Sequence, residues 1–151
     1  MLIKEGYKVL LEDESYSIDD IRTILSNLRV KGIYEEYEIQ RDIADILSKA
    51  GIEYQKEYKL GKHNRIDFLI SGGIGIEVKK GKPNKSKVIE QLTRYTEFEV
   101  INSVILVIER SMDIPKEITG KPCLSFGLNK LWGITVWRED KDDTSIFKQD
   151  K

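Results

Sequence analysis

The stretch from Arg65 to Lys79 limits the fold more than any other. It reads Arg65-Ile66-Asp67-Phe68-Leu69-Ile70, then Ser71-Gly72-Gly73, then Ile74-Gly75-Ile76-Glu77-Val78-Lys79. Two apolar-rich runs flank a turn whose glycines are free to take positive φ, which predicts a β-hairpin. Side chains alternate faces along a strand. Ile66, Phe68 and Ile70 are therefore expected on one face, with Arg65, Asp67 and Leu69 on the other. In the second strand Ile74, Ile76 and Val78 share a face, and Gly75, Glu77 and Lys79 share the other. A hairpin centred on Gly72 sets Asp67 opposite Glu77, with Cβ atoms about 5 Å apart. A slip of one residue would turn Glu77 into the apolar face, so the pattern fixes the register.

Two carboxylates at that spacing repel by roughly 3 kcal/mol at an effective dielectric near 20. A divalent cation removes the repulsion, and carboxylate oxygens suit Mg²⁺ or Mn²⁺. Lys79, two residues beyond Glu77 on the same face, could hold a water or neutralise charge on a phosphate. The plain alternative is a solvated strand face. Glu-x-Lys by itself carries little: with 15 Glu and 18 Lys in 151 residues, about two such triplets arise by chance. The chain has three, starting at Glu57, Glu77 and Glu139. Of these, the middle one combines an apolar strand, an opposed acid and a following helix.

A basic loop follows the hairpin. From Lys79 to Arg94 there are six basic residues (Lys79, Lys80, Lys82, Lys85, Lys87, Arg94) and one acid, Glu90. The chain as a whole carries a net charge of −1, so the positive charge is local. Beside two carboxylates and a metal it suits a phosphate backbone; alone it would read as a solvated loop. Ser86 is the expected cap of the next helix. Val88, Ile89 and Leu92 are expected to face the core, with Lys87, Gln91, Arg94 and Tyr95 as a polar stripe. Gln91 and Tyr95 are four apart and stack on one face.

Upstream, Ser17 and Asp20 form an acidic variant of the capping box, and Ile21, Ile24, Leu25 and Leu28 make one apolar face. A second helix is predicted from about Tyr34 to Ala50, closed by Gly51 as a left-handed cap. Its stripe is Ile39, Ile43, Ile46, Leu47 and Ala50. Glu36 borders that stripe with Gln40 beside it, while Glu38 lies toward solvent. An acid near a helix start also favours the dipole, so Glu36 has an ordinary explanation as well. Ile52 to Leu60 alternates as a strand, with Ile52, Tyr54, Tyr58 and Leu60 on one face. Val100 to Glu109 is an apolar, buried strand. Residues 114–119 are read as a short helix after Pro115, and Leu124–Leu128 and Trp132–Trp137 as strands.

The domain division is an N-terminal arm and helix (1–33), a core domain (34–138) and a polar tail (139–151). A single Cys123 excludes an internal disulfide and a four-Cys cluster, and a single His63 excludes multi-His metal sites within one chain. The longest aliphatic run, Val104 to Ile108, is far short of a membrane span. The expectation is a cytoplasmic α/β chain with no membrane partner.

The ordered set resembles the PD-(D/E)XK nuclease superfamily, in particular its RecB-type and archaeal Holliday-junction-resolvase branches. The set is Glu36 on a helix, Asp67, Glu77-Val78-Lys79 on a hairpin, and Gln91-x-x-x-Tyr95 on a helix; it covers about half the chain. The resemblance implies a restriction-endonuclease-like core, a mixed β-sheet flanked by helices. It implies a metal-dependent DNA endonuclease, a Mg²⁺- or Mn²⁺-dependent phosphodiester hydrolase of DNA recombination or repair. Asp67 and Glu77 would be metal ligands, joined by the Val78 carbonyl and by Glu36, with Glu38 as the fallback acid. Lys79 would activate water, and Gln91 and Tyr95 would orient the lysine, the water or a phosphate. Arg65, Lys80, Lys82, Lys85, Lys87, Arg94 and Gln40 would contact DNA, branched or duplex, and junction cutting would imply a homodimer. Ile66 stands where many members have proline before the first acid. The lack of four cysteines argues against the iron–sulfur members. A chain keeping the fold as an inactive nucleic-acid-binding or assembly module is the other reading.

Overall fold

The computed structural model describes residues 16–28 and 35–129. The expectations for residues 1–15, for Trp132–Trp137 and for the tail lie outside the described residues. Helix α1 (Ile18–Leu25) starts at the expected capping box. The Ser17 hydroxyl accepts the Asp20 N–H at 3.1 Å, and the Asp20 carboxylate accepts the Ser17 N–H at 3.0 Å. Helix α2 (Glu36–Lys49) ends at Gly51, whose φ of 76° is the left-handed cap expected of it.

Four strands and a helix follow: β1 (Tyr54–Gly61), β2 (Asn64–Ile70), β3 (Ile74–Lys79), α3 (Lys85–Thr96) and β4 (Ser103–Ile108). A short hairpin, β5 (Glu117–Ile118) and β6 (Lys121–Gly127), completes the described residues. The result is an α/β fold with one mixed six-stranded sheet, ordered β1-β2-β3-β4-β6-β5 and flanked by three helices. β1, β2 and β3 are antiparallel neighbours, whereas β3–β4 and β4–β6 are parallel. A parallel pair needs a crossover, and α3 supplies it between β3 and β4.

Each sheet face carries its own core. On one side Phe68, Ile70, Ile76, Val78, Ile105 and Val107 pack with Ile21 and Leu25 of α1 and Ile39, Ile43 and Leu47 of α2. On the other, Ile66, Leu69, Val104 and Leu106 pack with Val88, Leu92 and Tyr95 of α3. Strand β4 is buried along its whole length, as its unbroken apolar run requires of a central parallel strand. Among the described residues no helix is long and apolar enough to cross a membrane.

The hairpin register is as expected: Phe68 pairs with Ile76, Leu69 with Gly75 and Ile70 with Ile74. The strict alternation of faces is not. Ile66 packs on the α3 side with Tyr58 and Leu60, while Phe68 and Tyr54 pack on the α1–α2 side. The faces exchange where Glu57 takes φ 51°, opposite Asp67 between the pairs Lys56–Phe68 and Tyr58–Ile66. A left-handed residue inside a strand rotates the chain out of its two-residue repeat.

Three further expectations are corrected. The cap of α3 is Asn84, whose side chain accepts the Lys87 N–H at 3.0 Å, so the helix starts before Ser86. Residues 114–119 form no helix; Glu117–Ile118 pairs with Lys121–Pro122 through a turn in which Thr119 (φ 56°) and Gly120 (φ 74°) are left-handed. Tyr95 is a core residue, 2% exposed, rather than part of a polar stripe.

Candidate metal and phosphate site

The site forms where β2 and β3 separate. The backbone ladder runs from Ile70–Ile74 to Phe68–Ile76, and side chains take over at the next pair. Oδ2 of Asp67 accepts the Val78 N–H at 2.7 Å, and the Asp67 N–H points to Oε1 of Glu77 at 3.4 Å. The facing acids are therefore held by each other's strand. The second oxygen of Glu77 meets Nζ of Lys79 at 3.5 Å, in an ion pair where the glutamate is almost fully enclosed.

Burial dominates the electrostatics. Desolvation pushes Glu77 up to about 8, with the neighbouring Asp67 charge adding to it and Lys79 opposing it. Desolvation pushes Asp67 up to about 6, against the Val78 N–H; the charge of Glu36 also raises it. The two acids titrate as a pair in which a second negative charge is strongly disfavoured.

Helix α3 closes the site from one side of the sheet. The Tyr95 hydroxyl donates to the Arg65 carbonyl at 2.9 Å and accepts from Nε2 of Gln91 at 2.9 Å. Burial first, then the Glu77 and Asp67 charges, raise the Tyr95 phenol well above its ordinary value, so it stays a neutral donor. Helix α2 reaches the site from the other side. Oε2 of Glu36 accepts the Lys80 N–H at 3.2 Å, whereas Glu38 is spent on the helix start, accepting the Glu35 N–H at 2.9 Å.

The residues expected to meet DNA divide into two groups. Lys79, Lys87, Gln91 and Arg94 line a cavity of about 260 Å³ with Pro83, Asn84 and Val88, directly beside the Glu77–Lys79 pair. Lys82 on the loop and Lys85 at the start of α3 are exposed. By contrast Lys80 is tied to Glu35 at 3.1 Å, and Arg65 lies 3.6 Å from Glu57. Arg94 also donates to Oδ1 of Asn64 at 3.3 Å, which orients its side chain from β2. Gln40 is half-buried on α2, one turn beyond Glu36. A larger cavity, about 490 Å³ and lined by Ile52, Tyr54, Gln55, Leu69 and Ser71, lies toward the β2–β3 turn and holds none of these groups.

Among the described residues no three His, Cys, Asp or Glu side chains converge on one point. The candidate donors are instead the Asp67 and Glu77 carboxylates, to which the resemblance adds the Val78 carbonyl. That set fits Mg²⁺ or Mn²⁺, which are commonly held by one or two carboxylates, with waters and substrate phosphate completing the shell. Desolvated like charges facing one another give the pair a physical use for a cation.

Two further acids touch this region. Glu57 sits opposite Asp67 in the unusual conformation described above, and its charge also raises Asp67. Glu109, 8% exposed, accepts the Gly81 N–H at 2.7 Å just beyond Lys79. Its position could be found from sequence only by knowing that β3 and β4 pair in parallel, which sets Lys79 beside Ile108. No family model, curated protein or solved structure matches this chain.

Proposed function

We propose that the chain is a metal-dependent DNA endonuclease that hydrolyses phosphodiester bonds. The observation that carries the reading is buried Glu77 facing half-buried Asp67, with Lys79 Nζ 3.5 Å from Glu77, beside a cavity lined by Lys87, Gln91 and Arg94. A structural role alone does not call for a buried acid facing a second, half-buried one, because burying a charge is costly without a compensating partner.

In this reading Asp67 and Glu77 hold the cation, with the Val78 carbonyl as a further oxygen donor and Glu36 at the margin. A bound Mg²⁺ supplies positive charge that polarises a phosphate and lowers the pKa of water. Lys79 positions the attacking water and offsets the charge developing on the phosphate. Tyr95 and Gln91 fix the start of β2 against α3, which keeps Asp67 and Lys79 in register. Lys87 and Arg94 seat the phosphate backbone beside them. Attack in line expels the 3′ oxygen and leaves a 5′ phosphate, as the resemblance to PD-(D/E)XK nucleases implies.

The test is cleavage of a labelled four-way junction, a plain duplex and a single strand, each with Mg²⁺, Mn²⁺ or EDTA. Lys79→Ala is run alongside. Paired symmetric cuts in the junction alone identify a resolvase and imply a dimer. Cuts in duplex or at strand ends identify a repair, restriction or exonucleolytic enzyme. Equal cleavage by Lys79→Ala would sink the assignment of the lysine. No metal-dependent cutting of any substrate would leave a nucleic-acid-binding module as the better account.

A further inference from the structure

We propose that Glu109 is a positioning residue for Lys79 and for the basic loop that follows it; the inference rests on the nuclease reading above. Strand β3 ends at Lys79, and the segment Lys79–Gly81 is held by four hydrogen bonds from two directions. The Lys79 carbonyl accepts the Glu109 N–H at 3.0 Å, and the Gly81 carbonyl accepts the Arg110 N–H at 3.2 Å. The Gly81 N–H donates to Oε1 of Glu109 at 2.7 Å, and the Lys80 N–H donates to Oε2 of Glu36 at 3.2 Å. Glu109 thus grips both ends of Lys79–Gly81, with its backbone at one and its carboxylate at the other.

The carboxylate is expensive where it stands. Glu109 is 8% exposed just past the end of β4, a strand buried at every position. An enclosed acid needs strong hydrogen bonds to offset lost hydration, and the short bond to Gly81 is of the charge-assisted kind. The geometry it enforces is local and specific. Gly81 takes φ 67°, which turns the chain away from the sheet into Lys82, Pro83 and Asn84. From there the chain enters α3, so the same turn brings Lys79 and the α3 residues Lys87, Gln91 and Arg94 to the walls of one basic cavity. A shift of about 1 Å at a reacting group can cost on the order of a hundredfold in rate, so a grip on the adjacent peptides has catalytic leverage.

The experiment uses the full chain with Glu109→Ala and Glu109→Gln, the latter keeping a carbonyl oxygen that can accept the Gly81 N–H. The first readout is hydrogen exchange at the Gly81 amide in metal-free protein. The second is single-turnover cleavage with Mg²⁺, beside DNA affinity measured with Ca²⁺. Glu109→Ala should speed Gly81 exchange by about tenfold or more. It should also slow cleavage by roughly ten- to a hundredfold while DNA affinity stays within about threefold. Glu109→Gln should restore both toward wild type. Unchanged exchange at Gly81 in Glu109→Ala would overturn the grip. Wild-type cleavage by Glu109→Ala below its melting temperature would reduce the residue to a stability role. A Gln variant as slow as Ala with Gly81 still protected would mean that the charge itself acts in the chemistry. Should Glu109→Ala fail to fold, Glu109→Asp, one methylene short with the charge kept, carries the same expectations. A wild-type chain that cuts no DNA defeats the nuclease reading, and Gly81 exchange then decides on its own whether Glu109 holds the segment.

Discussion

Asp67 accepts the Val78 N–H at 2.7 Å, so a carboxylate stands where the β2–β3 ladder gives way to side chains. The substitution of side chain for backbone frees the strand ends to diverge while keeping the two acids in register. It also holds Asp67 close to Glu77 at the point where the sheet opens toward α2 and α3.

The first prediction concerns that pair. Asp67→Asn and Glu77→Gln each keep the shape and remove one charge. Each should lower Mg²⁺-dependent cleavage by about a hundredfold or more, comparable to loss of a strong electrostatic group from an active site. In wild type, saturating Mg²⁺ should raise the melting temperature by several degrees, because a ligand bound by the native state stabilises it. In either variant that shift should shrink to near zero. A full Mg²⁺ shift in Glu77→Gln would remove the residue from the ligand set.

The second prediction follows from the raised acid values. In the metal-free protein Glu77 is pushed up to about 8 from an ordinary 4.5, and Asp67 to about 6 from 3.8. Between the ordinary and raised values the native state binds more protons than the unfolded chain. Stability therefore falls as pH rises through roughly 4 to 8 and levels off above that, by on the order of a few kcal/mol. Glu77→Gln should flatten most of this slope, and Mg²⁺ should offset it by favouring the ionised pair. Thermal melts of wild type and variant at pH 5, 6.5 and 8, with EDTA or Mg²⁺, measure all three effects. A wild-type stability that rises with pH over this range would contradict the buried-pair account.

The third prediction isolates Tyr95. Its ring belongs to the α3-side core, and its hydroxyl links Gln91 to the Arg65 carbonyl. Tyr95→Phe keeps the ring and leaves a partly buried carbonyl without its donor. The expected loss is about 1–3 kcal/mol of stability. Cleavage should slow by roughly tenfold as β2 loosens against the helix. Chemical denaturation and single-turnover rates separate the two. Gln91→Ala should cost less stability, since the Tyr95–Arg65 bond survives it.

Much of this arrangement was legible from residue order. Ser71-Gly72-Gly73 set the hairpin and its register, and Ser17 with Asp20 marked the first helix start, because turn glycines and caps act locally. The exchange of faces at Glu57 and Asp67 was not legible. Nothing in a glutamate signals that it will take a left-handed conformation inside a strand. The cap expected at Ser86 falls on Asn84, an equally good cap two residues earlier. Pro115 suggested a helix start, yet the Thr119-Gly120 turn folded the segment back onto β6. Glu109 stands in the sequence as the last residue of an apolar strand, and nothing local assigns its carboxylate a partner. Its burial depends on the parallel pairing of β3 with β4, which is a tertiary fact.

The last prediction ranks the basic residues. Charge alone does not distinguish Lys80 on the loop from Lys87 on α3, but their partners do. Lys80 is bound to Glu35 at 3.1 Å, so contacting a phosphate would first require that pair to part. Lys87 and Arg94 line the cavity beside Lys79. DNA affinity measured across salt concentrations should therefore fall most for Lys87→Ala and Arg94→Ala. Each should lower the slope of log affinity against log salt by about one phosphate contact. Lys80→Ala should change the slope by less than half as much, since the native lysine is already neutralised. Glu35→Ala should strengthen binding by freeing Lys80. A slope change for Lys80→Ala equal to that for Lys87→Ala would show that DNA displaces Glu35, and would move the binding path from the α3 side of β3 toward α2.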